Sequence, residues 1–204
     1  MKKKIVYLIA GLMIATTMSA AMVGCDSNNE PTSSPTSTTS SSAGSTTSKT
    51  ESKTQSTGTT FTSSDNSYSF TIPEGFTETD VPAGTVPAGA TGAAFTNADN
   101  VVLVSVATKG GSANMTGITK DTIEQQLQAQ YPGAKISDFT TEKKGNGNVF
   151  TYKLQVTSNG TSVAMVQSTY TDADRSINFS MTGADSSKID TKIVKSVIDS
   201  LEIK

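Results

Sequence analysis

Phe150-Thr-Tyr152-Lys-Leu154-Gln-Val156-Thr-Ser158-Asn159-Gly160-Thr161-Ser-Val163-Ala-Met165 is the stretch that decides the fold. Its first half alternates apolar and polar residues, the period of a half-buried strand. Asn159-Gly160 then supplies two residues that tolerate positive φ, as a type I′ hairpin turn requires. A two-residue turn makes Ser158 and Thr161 the closing pair. Counting outward, Val156 faces Val163 and Leu154 faces Met165, all on one face of the ladder.

Further along, Val163 to Thr171 is the returning strand. Asp172-Ala-Asp174-Arg175 turns again, and Ile177, Phe179 and Met181 mark another strand. A helix over 187–201 follows. Ser187 is placed to cap it with Asp190 at the third position. Ile189, Ile193, Val194, Val197, Ile198 and Leu201 form one wide apolar stripe.

Before the hairpin, Lys143-Lys144-Gly-Asn-Gly-Asn148 reads as a turn and Ile136 to Glu142 as a strand. Thr119 to Tyr131 is a helix, with Ile123, Leu127 and Tyr131 on one face, Thr119 as cap and Ile118 stapled to Ile123. Pro132-Gly133 stops it. Val101 to Val106 is apolar on both faces, the pattern of a central strand covered on both sides. Ala93 to Thr96 is a short strand, and Ser67 to Ile72 places Tyr68, Phe70 and Ile72 on one face. Together these elements imply an α+β domain over 61–204: an antiparallel sheet meander flanked by two amphipathic helices.

Between those early strands, Val81-Pro82-Ala-Gly84-Thr-Val86-Pro87-Ala-Gly89 repeats VPAG twice. Two copies are too few for a solenoid. Their Pro and Gly content marks a loop or mobile flap. Loops on a rigid scaffold commonly carry function. Val81, Pro82, Gly84, Val86, Pro87 and Gly89 are therefore the candidate binding loop.

The hydrophobic pattern resembles the PsbP-like fold. The carriers are Asn66-Ser-Tyr-Ser-Phe70-Thr-Ile-Pro73-Glu-Gly-Phe76, a helix before the meander, and Ile193-Val-Lys-Ser-Val-Ile198-Asp-Ser-Leu201. The resemblance implies an α/β/α sandwich around an antiparallel sheet and accessory binding, usually to other proteins, more than catalysis. It carries over no functional residue.

The first 24 residues have the layout of an export signal: Lys2, Lys3 and Lys4, an apolar run from Ile5 to Ala15, then small residues. Met22-Val23-Gly24-Cys25 resembles a bacterial lipoprotein lipobox, with Met22 where Leu is usual. That resemblance implies cleavage before Cys25, a diacylglyceryl group on its thiol and attachment to membrane lipid at the extracytoplasmic face. Two acyl chains give durable attachment where one is marginal. Two other readings of these residues are cleavage after Ala21 and an uncleaved anchor, although Thr16, Thr17 and Ser19 interrupt the apolar run. Cys25 is the sole cysteine, so no internal disulfide exists.

Residues 26–60 contain 11 Ser and 11 Thr and no aromatic or branched aliphatic residue. Such a segment has no apolar surface to offset its ordering entropy, so 25–60 is expected to be a disordered tether. Coil scaling gives it a span of roughly 30–35 Å, and full extension about 120 Å.

Loss of the three signal lysines takes the net charge from −2 to −5. Acidity and a single arginine, Arg175, argue against a nucleic-acid footprint. With no histidine, Ser-His-Asp and Cys-His arrangements are excluded. No nucleotide-binding glycine motif occurs, and no cofactor or metal is expected. Asp172, Asp174 and Asp185 are the sharpest carboxylate group, readable as a weak hard-cation site or, more simply, as turn residues. Lys143-Lys144 reads as a solvated turn, and Met115, Met165 and Met181 as core fillers. The functional expectation is a non-catalytic binding or accessory module of the cell envelope with a protein partner. A structural envelope component and a carboxylate-based hydrolase are the alternatives.

Overall fold

The computed structural model describes residues 58–111, 118–158, 161–183 and 185–204. The signal, Cys25, nearly all of the tether, Met115 and the Asn159-Gly160 turn lie outside the described residues. Among the described residues, ten strands and two helices follow in order. They are β1 (Thr60–Thr62), β2 (Tyr68–Thr71), β3 (Thr77–Thr79), β4 (Thr91–Thr96), β5 (Val102–Lys109), α1 (Lys120–Gln130), β6 (Lys135–Lys144), β7 (Gly147–Ser158), β8 (Thr161–Thr171), β9 (Arg175–Gly183), α2 (Thr191–Ser200) and β10 (Glu202–Ile203).

The deciding hairpin has the expected register. Ser158 pairs with Thr161, Val156 with Val163 and Leu154 with Met165. Strands β6 to β9 each pair with the next, and β9 then pairs with β5. The main sheet is antiparallel throughout, in the order β3-β4-β5-β9-β8-β7-β6. Strand β5 is thus bordered on both sides, and Leu103, Val104 and Ser105 on its two faces are all buried.

Alternation along β7 divides the core. Phe150, Tyr152, Leu154 and Val156 join Met165 and the α1 residues Ile123 and Leu127. Val149 belongs to the larger cluster, with Val166, Phe179, Met181 and the α2 residues Val194, Val197 and Ile198. Each helix therefore serves a different core cluster, as the period-2 geometry of the strands requires.

Three local expectations are corrected. The Ser67–Ile72 segment does not join the main sheet; β2 pairs with β1 and β10 in a separate three-stranded sheet. Its Tyr68, Ser69 and Phe70 are all buried, and Phe70 meets Phe95 and Phe179 edge-on at 5.6 and 5.3 Å. Those contacts lay the small sheet against the larger core cluster, and the Tyr68 hydroxyl reaches Ser105 Oγ at 3.2 Å.

The last helix begins at Thr191, not at Ser187. Asp190 is its cap, accepting from the Lys192 N–H, while Ser186–Lys188 forms a separate 3-10 turn capped by Asp185. A carboxylate competes well for the cap position. Third, Lys143 and Lys144 are strand residues. The turn is only Gly145-Asn146, closed by Lys144 and Gly147, with Gly145 at φ 56°.

Helix α1 follows its sequence signals. Thr119 accepts from the Thr122 N–H, and Ile118 packs on the same cluster as Ile123. At the sheet edge, β6 carries a register shift between Ser137 and Thr140, with Asp138 at φ 54°. A bulge and charged side chains are common ways to blunt an edge against further pairing.

Candidate functional site

Two tight turns build the VPAG segment. The Thr85 N–H donates to Pro82 O and the Ala90 N–H to Pro87 O, each at 3.1 Å. Gly84 and Gly89 sit at φ 80° and 79°. A positive-φ glycine at the third position is the requirement of a type II turn, and the prolines stand at the first position, where their carbonyls close it. Pro73-Glu-Gly75-Phe76 repeats the construction, with the Phe76 N–H on Pro73 O. The segment forms a loop that packs on the domain. Thr85 is buried, and Val86 lies so close over Gly92 that a β-carbon there would overlap it. Val81, Pro82, Val86 and Pro87 are half-buried, whereas Gly84 and Gly89 are exposed.

Gly89 is the one member of the candidate loop that lines a cleft of about 470 Å³. The cleft lies where β5 ends beside β9. Its other walls are Asp65-Asn66-Ser67 before β2, Thr91, Ala107 to Lys109, Asp174, Arg175 and Lys204. Strand pairing sets Lys109 opposite Arg175. The volume is within the range of small-ligand sites.

Arg175 holds this end of the molecule together. Its Nη1 donates to Ser67 O at 2.8 Å and to Lys204 O at 3.1 Å, and the Lys204 N–H donates to Ser67 O at 3.0 Å. The Arg175 Nε lies 4.0 Å from Asp172 Oδ2. One guanidinium thus ties β9 to the segment before β2 and to the residue after β10. Among the described residues, its Nη2 has no partner.

Asp172 is a turn residue. Its Oδ1 accepts the N–H groups of Asp174 and Arg175 at 2.8 and 2.9 Å, and its Oδ2 accepts the Tyr170 hydroxyl at 2.9 Å. Burial pushes its carboxyl up, but those donors and Arg175 outweigh it and hold the group below the usual carboxylate range. Burial and the Asp172 partner push the Tyr170 hydroxyl up to about 12. Asp185 is held low by Ser187, which donates both its hydroxyl and its N–H. The Asp172, Asp174 and Asp185 group is therefore not assembled as a cation site: two of the three carboxylates are already engaged by protein donors. Lys144, read from sequence as part of a turn, bonds the Asp199 carbonyl at the end of α2.

Asp65 presents a different carboxylate to the cleft. Hydrogen bonds from Ser63 and Ser67 hold it below its ordinary value. Asn66 beside it is at φ 57°, a left-handed conformation that asparagine tolerates. Lys109 and Lys204 have no carboxylate within ion-pair distance among the described residues. The buried Thr91 hydroxyl lies beside that of Tyr68 but makes no hydrogen bond of good geometry.

Sequence reasoning missed most of this wall. Asp65, Thr91, Lys109 and Lys204 lie far apart along the chain, and only β5–β9 and β2–β10 pairing brings them together. The signals available were Arg175 as the sole arginine and Asp174 beside it, which in the sequence read as a turn. Cys25 lies outside the described residues.

No protein-family model matches the sequence, and none of the curated proteins does. Solved structures do match. Cyanobacterial PsbP (CyanoP) from Synechocystis has a TM-score of 0.52 at 15% identity, covering 72% of this chain and 92% of that one. LpqN, a Mycobacterium tuberculosis protein involved in cell envelope biogenesis, has a TM-score of 0.47 at 14% identity, covering 72% and 85%. A protein of Bacteroides thetaiotaomicron has a TM-score of 0.46 at 19% identity, covering 72% and 48%. Identities this low speak to architecture alone, and the match to the cyanobacterial protein shows that the chain has a PsbP-like fold.

Proposed function

We propose that this protein is a lipid-anchored, extracytoplasmic binding or accessory module of the cell envelope, and that it binds its partner at the cleft beside Gly89. The observation that carries the reading is the cleft itself. It combines two exposed lysines without ion-pair partners among the described residues, a fixed guanidinium and a turn from the candidate loop. Unpaired charges on a concave surface are available to a ligand without first breaking an internal contact. The anchor rests on the Gly24-Cys25 junction after an export signal, and the tether would hold the domain away from the lipid.

The same geometry favours binding over hydrolysis. A glycosidase-like pair needs one carboxyl raised enough to donate a proton. Asp65 is shifted the other way, by two serine partners. In this reading the finer architecture is a sandwich, with α1 and the pair of α2 and the small sheet on opposite faces of the main sheet.

Two experiments test the reading. Cys25→Ser should move the protein from the membrane to the soluble fraction; membrane retention after signal removal refutes lipid anchoring. Lys109→Glu with Lys204→Glu should cut recovery of cross-linked partner from membranes at least about fivefold, since each lost charge pair is worth up to about 1 kcal/mol at an exposed site. Equal recovery with an unchanged melting temperature places the binding surface elsewhere.

A further inference from the structure

We propose that the cleft takes a short zwitterionic peptide, its free carboxylate against Arg175, Lys109 and Lys204 and its ammonium against Asp65 and Asp174. This deepens the preceding reading and rests on the cleft being the binding site.

The cation arrangement sets the anionic end. Arg175 is immobilised through Nη1 by the Ser67 and Lys204 oxygens, with its Nε toward Asp172, which leaves Nη2 as the charged donor open to a carboxylate. Lys109 and Lys204 add two movable ammonium groups with no competing partner among the described residues.

Two carboxylates, Asp65 and Asp174, line the same cleft and are the contacts for an ammonium. Asp65 and Asp174 in the cleft, with Asp172 beside the Arg175 Nε, set three carboxylates against the three positive charges. A dianion such as phosphate then meets a cleft of small net charge, with carboxylates that repel it. A ligand carrying both signs finds a partner for each. Asp65 is fixed by Ser63 and Ser67, with its Oδ1 accepting from Ser63 Oγ, Ser67 Oγ and the Ser67 N–H, so that Oδ2 is left for a donor. Gly89 and Ala107 are small and allow a peptide backbone to approach closely.

An NMR titration of the full chain tests this, with tri-alanine, its C-terminal amide, its N-acetyl form and inorganic phosphate as probes. Tri-alanine should give saturable shifts at the Thr91, Ala107 and Lys109 amides. Each capped form should bind at least about fivefold more weakly. Lys109→Ala with Lys204→Ala, both exposed, should weaken tri-alanine about tenfold, equivalent to 1.4 kcal/mol, without changing the melting temperature. Equal binding of the capped forms, phosphate binding in place of tri-alanine, or no saturable shift at all overturns the ligand class. If the Lys109→Glu, Lys204→Glu protein still loses its membrane partner in that case, the cleft survives as the site and only the zwitterionic peptide is refuted. Unaffected recovery removes the cleft as well.

Discussion

Replacing Arg175 with methionine removes the guanidinium and keeps most of the apolar stem. Three interactions disappear: the bonds to Ser67 O and Lys204 O, and the 4.0 Å approach to Asp172. A hydrogen bond from a charged donor contributes about 1.5–3 kcal/mol when well buried. The Arg175 side chain is 24% exposed, and the Lys204 carbonyl is at the surface, so both values need discounting. About 1–1.5 kcal/mol for Ser67 O and about 0.5 for Lys204 O are reasonable, and the ion pair adds little at that distance. Asp172 keeps its two N–H donors and the Tyr170 hydroxyl, so no buried charge is stranded. The sum is about 2 kcal/mol, or a fall of about 6–8 °C in melting temperature for a domain of this size. Calorimetry measures the first quantity. Amide hydrogen exchange measures the second consequence, because the Lys204 N–H bonds the same Ser67 carbonyl and should exchange faster once Arg175 is gone. A melting temperature within about 2 °C of wild type, with unchanged protection at Lys204, refutes the argument that Arg175 ties the chain end to the sheet.

Thr85→Val should leave stability unchanged or raise it by about 0.5–1 kcal/mol, since the buried hydroxyl has no partner among the described residues and valine matches its shape; a melting temperature several degrees lower would reveal a bond. Gly111→Ala should cost about 2 kcal/mol or more in chemical denaturation, because the methyl would overlap the Asp172 and Arg175 carbonyl oxygens, which are backbone and yield little; a cost under about 0.5 kcal/mol would contradict the packing. Tyr170 stabilises the fold fully below its unfolded value of 10 and loses that contribution as pH rises through about 12. Urea unfolding should accordingly show stability falling between those values, with a shallower fall in Tyr170→Phe; identical slopes would sink the assignment. Asp172 acts in the opposite sense: its contribution is present above 3.8 and is lost as pH falls through its lower folded value, so acid unfolding of Asp172→Asn should be less steep than that of wild type.

Local chemistry sufficed for several parts of this protein. Hairpin register follows from Asn159-Gly160 and a period of two, because a one-residue slip would turn Leu154, Val156 and Met165 to the opposite face. Helix α1 follows from Thr119, Ile123, Leu127 and Pro132-Gly133, all within one short window. Central placement of β5 follows from apolar residues on both of its faces. These signals act over a few residues, so sequence alone determined them. The start of α2 was decided by competition: Ser187 and Asp190 both fit a cap, and Asp185 drew Ser187 into a 3-10 turn instead. Partner choice for β2 was not legible, because a short strand rich in Tyr and Phe fits any apolar face, and only contact with Phe95 and Phe179 decides which. The cleft depends on tertiary structure most of all. Asp65, Gly89, Lys109, Arg175 and Lys204 share no sequence window, and nothing local to any one of them points to the others. Pairing of β5 with β9 and of β2 with β10, locked by Arg175, puts them on one wall; a long-range contact of that kind leaves no periodic trace in the chain.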